Sequence, residues 1–369
     1  MDTTARSSKL VATWLLVGVG MTVIQIALGG ITRLTGSGLS ITEWNVITGT
    51  IPPLNEQQWM EEFNKYRQTP QFYLLNFDFT LSDFKFIFFW EWFHRLWAKL
   101  ISMVFAVGFI WFLLKGHFKK EMIRPLLILF LLGALQGAVG WIMVASGLTG
   151  DAVYVKPTRL ALHFIFALGL LCYTFWFALQ LLVKKEQLTY NTGARKWNWL
   201  LLCLLVIQLL YGALMAGHKA ATAAPSWPTI NGQWIPEKMF ANEHSLLNFI
   251  DNKTLIHFIH RGLAYLLLVL IIIWTLRLFK TKGTGLFDRT RWMPLAVVSL
   301  QVLLGIAVVL TSTGIVPGKW GIFEWTAQLH QLIGMLLLLS LVWMLYICLL
   351  YTSDAADDLL CVDLGGRRI

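Results

Sequence analysis

Charge is scarce in this chain. Of its 369 residues 14% are charged, against 57% hydrophobic and 18 Trp, which leaves too little polar surface to solvate a globule of that size and excludes a soluble protein. Cysteine is nearly absent as well. Cys172, Cys203 and Cys348 fall inside apolar runs and Cys361 in the C-terminal tail, so no loop carries a pair, and a disulfide framework or thiolate metal site is excluded. The first apolar run has no small-residue cleavage site and outruns a signal peptide's apolar region, and the basic N-terminus of about nine residues is not rich in Arg and Ser as a transit peptide is. A retained first helix and a bacterial inner membrane are therefore expected, rather than a mitochondrial membrane.

What the chain has is long apolar runs. They cover 9–30, 86–114, 123–146, 158–183, 196–217, 253–279, 292–312 and 323–351, each long enough to cross a hydrocarbon core of roughly 30 Å. The reading is an all-α polytopic membrane protein with eight transmembrane helices. The net charge of +10 does not mark a nucleic-acid partner, because the basic residues border the membrane. The short connections after helices 2, 4 and 6 hold Lys115, Lys119, Lys120 and Arg124, then Lys184, Lys185, Arg195 and Lys196, then Arg277, Lys280, Lys282, Arg289 and Arg291. The opposite connections are sparser in Lys and Arg, which places both termini on the cytoplasmic side.

Four histidines interrupt the apolar runs. His94 and His163 stand 69 residues apart, His260 and His330 stand 70 apart, and a histidine in hydrocarbon points to function unless a neighbouring helix satisfies it. Their surroundings repeat too: HRLWAKL at 94–100 answers HRGLAYL at 260–266, LQGAVG at 135–140 answers LQVLLG at 300–305, and LHFIFALGL at 162–170 answers LHQLIGMLL at 329–337. Helices 1–4 thus match helices 5–8. An even number of helices per unit makes the copies parallel, giving two parallel four-helix-bundle repeats, 1–190 and 191–351. The remaining stretch, 352–369, has no membrane period and resembles translated adapter sequence; it is set aside as a non-native tail, an acidic cytoplasmic tail being the alternative.

In this arrangement helices 2, 4, 6 and 8 run inward from the outer face, each with one histidine in its first two turns, at one depth of roughly 8–12 Å. Two histidines at equal depth on facing helices suit the axial ligation of one haem iron per half. A mononuclear zinc or copper centre competes, but it needs three or four converging ligands and each repeat offers two. Gly133, Gly137, Gly140 and Gly305 would leave room for a flat ligand or allow close helix packing.

The halves differ beside the first ligand. EWFHR at 91–95 puts Glu91 one turn before His94, whereas HFIHR at 257–261 puts His257 one turn before His260. Both His257 and His260 are possible ligands; position in the repeat favours His260. An unpaired carboxylate in this setting is costly to ionise and suits proton transfer, so the N-terminal pocket is expected to react and the C-terminal one to relay electrons; a Glu that merely caps a helix entrance is the plainer alternative. Arg95 and Arg261 follow a ligand in each half and could pair with haem propionates or snorkel to lipid phosphate. Gln136 and Gln301 repeat as well, as polar contacts between helices. In the outer loops, 55–67 reads as a short amphipathic helix and the aromatic stretch 72–79 as a headgroup-layer segment. The loop at 218–252 repeats the pattern weakly with Trp227 and Trp234, and both loops could lid the pockets.

Taken together, GGITRLTGSGLS (29–40) with Trp44, EWFHR (91–95), LGALQGAVGWIMVASGL (132–148), LHF (162–164), HR (260–261) and HQ (330–331) resemble the haem A synthase family, in its mitochondrial-like branch without loop cysteines, over residues 9–351. The resemblance implies oxidation of the C8 methyl of haem O to a formyl group through hydroxylated intermediates. It implies substrate haem O between His94 and His163, Glu91 as the catalytic carboxylate, and a haem b relaying electrons between His260 and His330. It further implies haem O synthase as the source of substrate, cytochrome oxidase assembly as the destination of product, and an electron donor that the sequence does not identify. Membrane lipid and, in a homo-oligomer, further copies of the chain complete the expected partners. A bis-His membrane cytochrome b that only carries electrons, and a haem transporter, are the rival classes.

Overall fold

The computed structural model describes residues 3–44, 48–240 and 246–348; the tail at 352–369, Cys361 and the end of the last apolar run lie outside them. Among the described residues eight helices are long and apolar enough to cross a membrane: α1 (Thr3–Leu34), α2 (Leu81–Leu114), α3 (Lys120–Ala145), α4 (Pro157–Leu182), α5 (Thr192–Gly217), α6 (Lys253–Phe279), α7 (Met293–Thr311) and α8 (Ile322–Ile347). Among the described residues there is no strand beyond a lone bridge between Ile230 and Gln233. The chain is an all-helical, multi-pass membrane protein.

Several helix pairs pack alike in the two parts of the chain, although α6 meets α7 with no comparable contact between α2 and α3. α1 lies against α2 and α4 as α5 lies against α6 and α8, while α3 rests on α4 as α7 rests on α8. α4 and α8 also meet α5 and α1 across the middle. Hydrocarbon gives apolar side chains no reason to leave it, so contact between such helices rests on close packing and on polar side chains. The α1–α8 seam has both. Gln328 and Gln331 donate their amides to the backbone oxygens of Ala27 and Ile26, each at 2.9 Å. They approach α1 at Gly30, where a methyl group would collide with both glutamines.

The amphipathic segment is a helix, Glu56–Tyr66, capped by Asn55, whose side chain accepts from the Gln58 N–H at 2.9 Å. The expectation for α2 needs correction. It begins at Leu81 rather than 86, because Thr80 and Asp83 form a reciprocal capping box, and because Phe84 and Phe88 pack on Trp59, Phe63 and Tyr66. Phe72 joins that cluster, whereas Tyr73 and Phe77 stay exposed. A second consequence is that His94 falls in the fourth turn of its helix, not the first two. The aromatic cap over α2 is tied sideways as well: Gln71 donates to the Val153 oxygen at 3.2 Å, in the loop between α3 and α4.

Candidate functional site

Each of the four histidines faces the same pair of residues on the neighbouring odd-numbered helix. Opposite His94 stand Gln25 and Gly29 of α1; opposite His163, Gln136 and Gly140 of α3; opposite His260, Gln208 and Gly212 of α5; opposite His330, Gln301 and Gly305 of α7. The spacing is Gln-x-x-x-Gly every time, one helical turn on one face. The glycine is what allows the imidazole so close. A Cβ at Gly140 would lie 2.8 Å from the ring of His163, and one at Gly305 would lie 3.0 Å from that of His330.

The glutamine amides reach the same rings. The amide nitrogen of Gln136 lies 3.2 Å from Nδ1 of His163, that of Gln208 lies 3.4 Å from Nε2 of His260, and that of Gln301 lies 3.3 Å from Nε2 of His330. Gln25 donates instead to the backbone oxygen of His94 at 3.2 Å. His330 donates from Nδ1 to the backbone oxygen of Gln301 at 3.1 Å, which makes its Nε2 the acceptor of the ring, the atom that the Gln301 amide approaches. All four glutamines keep a buried side-chain oxygen without a partner. Gln136 and Gln301 were visible in the sequence as a repeated pair; Gln25 and Gln208 were not, and the signal that finds them is the fourfold Gln-x-x-x-Gly.

All four histidines line one cavity of about 1180 Å³, larger than the roughly 300–1,000 Å³ of a pocket for a single small ligand. The rings of His260 and His330 have centroids 6.3 Å apart. A metal bonded to an imidazole nitrogen on each side at about 2 Å spaces two ring centroids by roughly that much, so this pair fits the axial ligation of a haem iron. Among the described residues no three His, Cys, Asp or Glu side chains converge on a point, so a zinc or copper centre of the usual protein donors finds no ligand set. Of the four glycines expected to leave room, Gly133 and Gly137 line the cavity with nothing within 4 Å of a built Cβ, while Gly140 and Gly305 bring helix and imidazole together. The counterparts of Gly133 and Gly137 in the second half are Val298 and Val302, and Val298 is buried.

Glu91 is not the unpaired carboxylate that the sequence suggested. It is 2% exposed and fully partnered: Arg95 donates to Oε1 at 2.5 Å, and the Ser40 hydroxyl and Ile41 N–H donate to Oε2 at 2.7 and 2.9 Å. Arg95 also donates to the backbone oxygens of Ile41 and Glu43 and stacks on Trp44 with its Cζ 4.9 Å from the ring centre. The pair thus fixes the loop that follows α1 onto the ligand helix α2. His257 and Arg261 do the same for the loop after α5. His257 donates from Nε2 to the Ala220 oxygen at 2.7 Å, and Arg261 donates to the oxygens of Ala224, Ser226 and Thr229. His257 is thereby occupied with backbone, whereas His260 is the ring that faces His330.

Residues 12–342 match the model of the COX15-CtaA family, described as cytochrome oxidase assembly protein. The chain belongs to that family. Within it, the chain is 40% identical over 349 residues to a protein of Novosphingobium aromaticivorans named Heme A synthase, an alignment that covers 92% of this chain and 95% of the relative. The protein of that name from Rhodospirillum centenum is 42% identical over 311 residues, 83% of this chain and 82% of its own. A third, from Flavobacterium psychrophilum, is 37% identical over 345 residues, 92% and 98%. The four histidines and their four glutamines all lie inside the span the family model matches.

Proposed function

We propose that this chain is a haem A synthase, an inner-membrane oxidoreductase that converts haem O to haem A by oxidising a ring methyl to a formyl group. The observation that carries this reading is the pairing of four histidines in one cavity with unequal surroundings. Both pairs have the Gln-x-x-x-Gly support, but the first adds a buried carboxylate and two glycines facing open space. The second has a histidine tied to backbone, and valines where those glycines stand. The roomier half is the side for a substrate that enters and leaves; the filled half is the side for a resident group.

In this reading His94 and His163 hold substrate haem O, and His260 and His330 hold a haem b. A bound haem b supplies one-electron transfer, and the hard chemistry belongs to the iron-bearing ring. The protein's part is orientation and charge. The glycines fix how near each imidazole stands, Gln136, Gln208 and Gln301 touch three of the rings, and the carboxylate of Glu91 stands against Arg95 at the wall of the first pocket. Two parallel halves would put all four histidines toward the end of the bundle carrying the long loops, the outer face if the Lys- and Arg-rich connections are cytoplasmic. Haem O synthase would supply the substrate and cytochrome oxidase assembly would take the product.

The test is the pigment. Protein purified with haem O synthase co-expressed is expected to carry formyl-bearing haem A, detected by mass spectrometry of the extracted haem, and haem b alone without it. Two unmodified haem b groups under both conditions would favour the electron-carrying cytochrome instead.

A further inference from the structure

The first half of the cavity holds a guanidinium that no protein group neutralises. Arg33 lies in the last turn of α1 and lines the cavity. Its side chain makes no hydrogen bond or ion pair among the described residues, and its Nε is shut off from solvent without a partner. The other cations of the cavity are engaged. Arg95 and Arg261 hold backbone oxygens, Lys99 donates to the Thr50 hydroxyl at 2.9 Å, Lys65 pairs with Glu43 and Glu62, and Lys219 rests its ammonium on the ring of Tyr154, 3.5 Å from the centroid. Arg33 is part-buried, with one guanidinium nitrogen shut off and the residue lining the cavity; a charge in such a partly dry setting without a counter-ion is costly, so this one calls for an anion.

Its position says which anion. Gln25, Gly29 and Arg33 follow one another at intervals of four on one face of α1, and Gly29 is the residue against Nε2 of His94. Arg33 therefore stands about 6 Å further along the helix than the His94 contact, toward the end with the long loops. In the second half the counterpart, four residues beyond Gly212, is Ala216. We propose that Arg33 binds a ring-borne carboxylate of the porphyrin held by the first half, in a forked guanidinium–carboxylate pair. This contact fixes which edge of the substrate faces the long loops, and the second half makes no such demand. The inference rests on the assignment of the first half to the substrate, and it relocates the carboxylate partner from Arg95 to Arg33.

The experiment reads binding, not haem A. Full-length protein in lipid nanodiscs is titrated with haem b and with haem b dimethyl ester, in which both carboxylates are capped, and uptake beyond the pigment retained through purification is followed in the Soret region. Wild type is expected to prefer the diacid. Arg33→Gln is expected to lose about tenfold or more in affinity for the diacid and none for the ester, and Arg33→Lys to keep most of the preference. Equal loss for diacid and ester, unchanged diacid affinity in Arg33→Gln, or a wild type indifferent to esterification each overturns the proposal; the last holds even if the variants fail to fold. A protein that shows the diacid preference yet makes no haem A would refute the synthase reading while leaving Arg33 in place.

Discussion

At the scale of single residues, Glu91 carries two duties that can be separated. Its oxygens receive three donors and hold the loop after α1, and its charge stands at the wall of the first pocket. Glu91→Gln keeps an acceptor for Ser40 and Ile41 and removes the carboxylate. The expected outcome is protein that folds and retains its pigment but yields no formyl-haem by mass spectrometry; continued haem A formation would reduce Glu91 to a loop anchor. Glu91→Ala should also cost stability, about 3–5 kcal/mol, since it leaves Arg95 partly buried without its anion, seen as an earlier loss of the Soret band on heating. Much of the site was legible at this scale because a histidine inside an apolar run has few innocent explanations. The pairing of Glu91 was not, since its partners Ser40 and Ile41 lie some fifty positions away in sequence. Gln25 and Gln208 escaped because a lone glutamine in an apolar helix reads as helix contact until all four are lined up.

Among the elements, the hydrophobic runs located all eight spanning helices, and the extent of α6 agrees with the run at 253–279. The start of α2 was the failure. Ile87 and Phe88 read as the start of the spanning run and Phe84 fell before it, and only the helix Glu56–Tyr66 shows that all three belong to a small core of their own with Phe63, Tyr66 and Phe72. That core has a titratable centre. Tyr66 is buried, donates to Gln71 at 3.0 Å and accepts from Asn76 at 2.7 Å, and burial pushes its phenol up to about 12. A phenol raised in the folded state stabilises the fold fully below its unfolded value near 10 and loses that contribution as pH climbs toward 12. Protection of the cap's amides from hydrogen exchange should therefore be flat up to pH 10 and fall above it, after correction for base catalysis. Tyr66→Phe should remove the slope while lowering the plateau, and an unchanged slope would place the titration elsewhere.

At the scale of the whole molecule, the two halves meet along α4–α5 and α1–α8, and the second seam is the polar one. Gly30→Val should force Gln328 and Gln331 off the oxygens of Ala27 and Ile26 and cost about 1–3 kcal/mol by overpacking, read as a lower temperature of Soret loss. Because the Gly29 contact with His94 lies one residue away, the first pocket should lose haem before the second; simultaneous loss, or none, would uncouple the seam from the site. The sequence suggested a duplication through matched motifs and nearly equal spacings, but the seam left no sign there, for its partners stand 301 and 305 positions apart.

That separation has a meaning in time. A ribosome adding roughly 5–20 residues per second releases α8 some quarter of a minute to a minute after α1, and until then the backbone oxygens beside Gly29 lack their clamp. The first half of the protein to be made thus waits for the last helix to finish its wall, so a haem delivered during synthesis would meet a loose pocket around His94 and one delivered afterwards a set one.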